Sequence, residues 1–134
     1  MSTLKTFIVE DNPLICENLV STLEELTRVE VVGSAVDEAS AVQWLSTEGN
    51  RADLIIIDIF LRNGSGLGVL QVIKDADLPL RRVVLTNYAS TDIRRRCTAL
   101  GADRVFDKSC ELDELITYCA RVADGTATAP GAPG

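Results

Sequence analysis

The chain has 134 residues, 46% hydrophobic and 25% charged with Gly 9 and Pro 4, which fits one globular domain and excludes collagen-like, low-complexity and wholly disordered chains. Its 20 acidic against 13 basic residues give a formal charge of -7, the wrong sign for gripping phosphate backbones or anionic lipid, so neither nucleic acid nor membrane is an expected partner. The lack of histidine excludes Ser-His-Asp and Cys-His nucleophile systems, and Cys16, Cys97, Cys110 and Cys119, with no CxxC pair, read as reduced packing residues rather than a zinc site.

Short β-rich runs alternate with longer stretches of 3.6-residue periodicity, the signature of a parallel sheet with helices on both faces. The first strand is read at Thr6 to Val9 and ends in Glu10-Asp11. Asn12-Pro13 then opens a helix with Ile15, Leu19, Leu23 and Leu26 on one face, proline being suited to the first helical position. Glu30 to Ala35 alternates as an edge strand would, and Asp37 is placed to cap a helix holding Ala41, Trp44 and Leu45. Leu54-Ile55-Ile56-Ile57 is a continuous apolar run typical of a strand buried on both faces, and Asp58 follows it.

In Gly64-Ser65-Gly66-Leu67-Gly68 the third glycine comes one position early for a dinucleotide fingerprint. The segment reads instead as a loop and the start of a helix from about Gly66 to Lys74, with Gly66 taking unusual backbone angles. Val83-Val84-Leu85 is the fourth strand, followed by Thr86-Asn87, and Ile93, Cys97 and Leu100 mark a fourth helix closed by Gly101. On that helix Arg94, Arg95 and Arg96 fan out by about 100° each and read as a solvated face. Arg104 to Phe106 is the fifth strand and ends in Asp107-Lys108. Ser109 is expected to cap a last helix striped by Leu112, Leu115, Ile116, Cys119 and Val122. Residues 1–124 are read as the domain, and 125–134, uncharged and without large apolar side chains, as a flexible C-terminal tail. No apolar run approaches the roughly 20 residues of a membrane span, and the first residues lack the pattern of a signal peptide, so a cytoplasmic location is expected.

In open α/β sheets ligands bind beyond the carboxyl ends of the strands, where strand order reverses. Glu10, Asp11, Asp58, Thr86 and Lys108 all fall there. With order 2-1-3-4-5 and strands about 4.8 Å apart, Asp11 and Asp58 end adjacent strands, Thr86 stands beside Asp58, and the Lys108 stem spans most of the remaining distance. Carboxylates about 4 Å apart repel by about 4 kcal/mol per pair at an effective dielectric near 20, and a hard cation relieves this. Mg²⁺, with one or two carboxylates and a phosphate oxygen, matches Asp11 and Asp58 with Glu10 reached through water.

Over residues 5 to 124, the pieces IVEDNP, LIIIDIFLRNGSGLGVL, VVLTNYA and GADRVFDKS, in this order, resemble a response-regulator receiver domain of two-component signalling, here of stand-alone type. The resemblance implies a flavodoxin-like, doubly wound α/β fold with a five-stranded parallel sheet in order 2-1-3-4-5 and five helices. It also implies that Asp58 accepts a phosphoryl group from a histidine kinase or histidine phosphotransfer protein, and that Glu10, Asp11, Asp58 and the Phe60 backbone carbonyl hold Mg²⁺. Thr86 resembles the switch hydroxyl and Lys108 the phosphoryl-binding lysine. Such a domain catalyses only its own phosphorylation and dephosphorylation. Its implied output is altered binding of a downstream protein through the face of the fourth helix, fifth strand and fifth helix, with a homodimer left open.

Three positions modulate that expectation. The resemblance implies that Phe60 and Tyr88, two residues beyond Asp58 and Thr86, flank the path of water to the acyl phosphate, and hence slow dephosphorylation. Val105 stands where an aromatic switch residue is usual. Converting a 1:99 equilibrium to 99:1 takes about 5.5 kcal/mol, whereas one neutral hydrogen bond nets about 0.5 to 1.5, so phosphorylation alone is expected to shift the conformation only in part. Ser109 stands where proline is common, and a trans bond is expected before it. Two alternatives stay open: a receiver-like binding module that is not phosphorylated, and an aspartate-nucleophile Mg²⁺ phosphohydrolase, the latter disfavoured by the adjacent Glu10-Asp11 in place of a DxD pair.

Overall fold

Strand and helix alternate five times in the computed structural model, which describes residues 3–125. The elements are β1 (Leu4–Val9), α1 (Pro13–Leu26), β2 (Val29–Ala35), α2 (Glu38–Ser46), β3 (Leu54–Ile57), α3 (Gly66–Asp75), β4 (Arg81–Thr86), α4 (Thr91–Ala99), β5 (Arg104–Asp107) and α5 (Leu112–Ala123). All strand pairs are parallel and the order is β2-β1-β3-β4-β5, as expected. β1 begins two residues earlier than its apolar pattern suggests because Leu4 and Lys5 pair with Val29 and Glu30, a backbone ladder that leaves no side-chain signature. The tail expected at 125–134 lies outside the described residues beyond Gly125.

β3 is the centre of the core, and its alternation feeds two layers. Leu54 and Ile56 pack with Ile8, Leu23, Val83, Phe106 and Leu115 under α1 and α5. Ile55 and Ile57 pack with Phe7, Val69, Ile73, Val84 and Cys97 under α2, α3 and α4. Within the second layer Trp44 stacks on Phe7 with ring centroids 4.1 Å apart. Among the described residues no helix is long and apolar enough to cross a membrane.

The helix starts follow the capping chemistry of the sequence. Asn12 accepts from the Leu14 and Ile15 amides with Pro13 in the first turn, and the Asp37 side chain accepts from the Ser40 amide at 2.8 Å. Ser109 does not cap α5, contrary to expectation. That helix begins three residues later, and the Ser109 hydroxyl and amide both donate to the Asp107 carboxylate, closing the turn after β5. No described peptide bond is cis, so the Lys108–Ser109 bond is trans as expected. Cys97 and Cys119 are buried packing residues, with burial pushing the Cys119 thiol up to about 12. Cys110 is exposed instead, because it lies in the turn before α5 rather than on the apolar stripe.

Leu115 is fully buried where α5 meets the sheet. Leu115→Ala should lower the unfolding free energy by about 2–5 kcal/mol, read from the urea midpoint at unchanged slope.

Candidate functional site

β1 and β3 are parallel neighbours in a register that aligns Val9 with Ile57, so the residues that follow them emerge side by side. Here the chain turns to β2 on one side and β3 to β5 on the other, the reversal point at which such sheets bind ligands. The backbone holds the exits in place, with the Glu10 amide donating to Ala35 and the Asp58 amide to Val9, each at 3.0 Å. As a result, one carboxylate oxygen from each of Glu10, Asp11 and Asp58 lies within 4.8 Å of the others. Glu10 and Asp58 are only 4% and 7% exposed, so water does little to screen them from one another.

Lys108 enters from β5, two strands away, where its amide donates to the Thr86 carbonyl at 2.9 Å. The ammonium lies 3.0 Å from Asp58 Oδ2 and also hydrogen-bonds Glu10 Oε1. Burial works against the charged ammonium, but the hydrogen bonds to Glu10 and Asp58 outweigh it and hold the lysine above its ordinary value. Glu10 is held through both of its oxygens, the second accepting from the Asn12 amide at 3.1 Å. Asp11 is anchored differently, accepting from the Arg62 amide at 2.8 Å and so tying the β1–α1 turn to the β3–α3 loop.

Three carboxylates against one ammonium leave a surplus of two negative charges on an all-oxygen donor set, which fits a hard divalent cation such as Mg²⁺. The loop after Asp58 is aimed by close packing. A Cβ at Gly66 would overlap the Asp58 carbonyl oxygen and lie 2.7 Å from Ile57 Cγ2, so glycine is required there for room. The unusual backbone angle expected at Gly66 belongs to Gly64 instead, at φ +83°. The Phe60 amide donates to Asp58 Oδ1 at 3.3 Å.

Thr86 is fully buried at the end of β4, and its hydroxyl accepts from the Tyr88 amide at 3.2 Å. Tyr88 and Phe60, each two residues beyond Thr86 and Asp58, meet edge to face with ring centroids 5.1 Å apart at 80°. Both remain partly open to solvent, at 65% and 48% exposure.

The arginine run is not uniformly solvated. Arg95 and Arg96 are exposed, but Arg94 turns inward and clasps three elements, donating to the Ala89 carbonyl at 3.0 Å, the Val105 carbonyl at 2.9 Å and the Glu111 carboxylate at 2.8 Å. Helical rotation alone decides which of three consecutive arginines faces β5 and α5. The Glu111 carboxyl is held below its ordinary range by the Arg94 guanidinium and by the Asp107 amide. Sequence reasoning missed this clasp because the partners are 17 residues apart and match no motif.

The sequence model of the response regulator receiver domain family matches residues 6–120. The transcriptional regulatory protein DltR of Streptococcus agalactiae is 30% identical over 113 residues, covering 84% of this chain and 49% of that protein. A nitrate/nitrite response regulator protein homolog of Haemophilus influenzae is 30% identical over 124 residues, covering 91% and 58%. The chain thus spans about half the length of the curated relatives it matches. Among solved structures, the Francisella response regulator 1452 receiver domain superposes at a TM-score of 0.81 with 22% identity, covering 93% of this chain and 100% of that one. The isolated receiver domain of RcsB from Salmonella enterica serovar Typhimurium, solved in the presence of the phosphomimetic BeF3-, gives 0.80 with 22% identity over 97% and 95%. At such identities these two likenesses speak for the fold.

Proposed function

The chain belongs to the response regulator receiver domain family, a signalling domain rather than a classical enzyme, and from that membership we propose that Asp58 accepts a phosphoryl group from a histidine kinase or a histidine phosphotransfer protein. The observation that carries the proposal is the Lys108 ammonium 3.0 Å from the Asp58 carboxylate, inside the cluster that also holds Glu10 and Asp11. Asp58 supplies the nucleophilic oxygen, and its bond to phosphorus forms as the donor's phosphorus–nitrogen bond breaks. Such transfer rests on positioning and charge stabilisation, so the lack of a histidine base is no obstacle.

Glu10, Asp11, Asp58 and the Phe60 carbonyl are the residues proposed to hold Mg²⁺, which when bound supplies positive charge to the phosphoryl oxygens. Lys108 gives a second positive charge from the β5 side. The Thr86 hydroxyl already accepts from Tyr88, so its own proton is available to donate to a phosphoryl oxygen. Phe60 and Tyr88, packed on one another, shield the acyl phosphate without offering a strong base to water.

At a formal charge of -7 the domain is proposed to signal from the cytoplasm through protein contacts rather than nucleic acid, using the α4–β5–α5 face. The Arg94 clasp runs from the loop after Thr86 to that face. With Val105 in place of an aromatic, the conformational shift is partial until a partner binds.

With a small-molecule phosphodonor and Mg²⁺, intact mass should show one added phosphoryl group on the wild type and none on Asp58→Asn or after EDTA. Labelling that survives both treatments contradicts the assignment. Once labelled, the Phe60→Asn, Tyr88→Glu double variant should lose its phosphoryl group faster than the wild type, by up to about 100-fold, the lower end of what a base that orients water contributes. Equal decay would show that the aromatic pair shields nothing.

A further inference from the structure

Glu38 begins α2 and belongs to none of the motifs around Asp58, yet it holds both ends of one turn of the phosphoacceptor loop. Its backbone amide donates to the Asn63 carbonyl at 3.2 Å, and its carboxylate accepts from the Ser65 amide at 2.9 Å. The room for this side chain comes from two glycines. A Cβ at Gly64 would lie 2.5 Å from Glu38 Cβ, and one at Gly68 would lie 2.5 Å from Glu38 Cδ. Gly68 sits inside α3, where glycine weakens a helix, so the lost side chain serves the approach of Glu38 rather than the helix itself.

The hold on Ser65 does not stop at the turn. Ser65 pairs with Phe60 across an isolated antiparallel bridge, and the next residue, Gly66, donates its amide to the Ile59 carbonyl at 2.9 Å. Phe60 in turn donates its amide to Asp58. A chain of short contacts therefore runs from α2 through Ser65 to the backbone that carries Asp58 and the Phe60 carbonyl. We infer that Glu38 is a positioning residue which, seated against Gly64 and Gly68, fixes the 60–65 loop and with it the Phe60 carbonyl proposed to hold Mg²⁺. This rests on the phosphoacceptor reading for its purpose, but the loop hold itself is measurable without it.

The test uses the full chain with Glu38→Ala, Glu38→Gln and Gly68→Ala, reading Ser65 amide hydrogen exchange by NMR and Mg²⁺ affinity by calorimetry. Glu38→Ala should speed Ser65 exchange and weaken Mg²⁺ binding, each by about tenfold, the lower range for removing a group that orients a metal ligand. Glu38→Gln keeps an acceptor oxygen but loses its charge, and should lose clearly less than Glu38→Ala on both, at most about fivefold. Gly68→Ala, though alanine favours helices, should behave like Glu38→Ala because its methyl displaces the carboxylate, and it should add nothing in the Glu38→Ala background. Wild-type exchange and affinity in Glu38→Ala, or equal losses in the alanine and glutamine variants, overturn the inference. Should Glu38→Ala fail to fold, Gly68→Ala and Glu38→Gln decide by the same readouts. If the wild type binds no Mg²⁺, the metal assignment falls and Ser65 exchange alone decides the role of Glu38.

Discussion

Much of this molecule is organised around the repulsion of three carboxylates that parallel pairing forces together. Once β1 and β3 lie side by side in the register that aligns Val9 with Ile57, Glu10, Asp11 and Asp58 leave from adjacent strand ends, and one oxygen from each lies within 4.8 Å of the others. At an effective dielectric near 20, two charges at the outer limit of 4.8 Å repel by about 3.5 kcal/mol, a large share of what typically keeps a domain folded. The fold answers with one ammonium carried in on β5, which is enough to hold the cluster and too little to neutralise it. Two of the three negative charges in this all-oxygen donor set are left without a counter-charge from Lys108.

The parts of this arrangement legible in the sequence are those with local or periodic signatures. The apolar run of β3 announced a central strand, the adjacency of β1 and β3 followed from one choice of strand order, and the caps at Asn12 and Asp37 follow from side-chain chemistry within a single turn. Features set by three-dimensional approach were not legible. Gly66 is glycine because the Asp58 carbonyl passes where a Cβ would stand, whereas the unusual angle belongs to Gly64. Ser109 has the chemistry of a cap but sits too far ahead of α5 to act as one. Arg94 and Glu38 matched no pattern because each acts on carbonyls and amides of distant segments.

These two residues have a common logic. Each reaches from a helix terminus or face to the backbone of a loop at the edge of the acidic cluster: Glu38 to the loop after β3, Arg94 to the loop after β4. Long charged side chains thereby pin loop backbone directly, in the β3–α3 loop beside the packing of Ile59 and Leu61 on the core. Arg94 also contacts the Val105 carbonyl, so the β5 backbone is tied to the loop after Thr86.

If the cluster is under electrostatic strain that a divalent cation relieves, Asp11→Asn removes that strain without losing the loop contact, because asparagine can still accept the Arg62 amide. Melting temperatures of both proteins are measured without divalent ions and with saturating MgCl₂, at matched ionic strength. The variant should melt higher than the wild type without Mg²⁺. The wild type should gain several degrees on adding Mg²⁺, as about 2.7 kcal/mol of linkage at a hundredfold excess over Kd implies, while the variant gains little. A variant that melts lower without Mg²⁺ and still gains as much as the wild type would mean that the cluster is not strained and that Asp11 does not hold the ion.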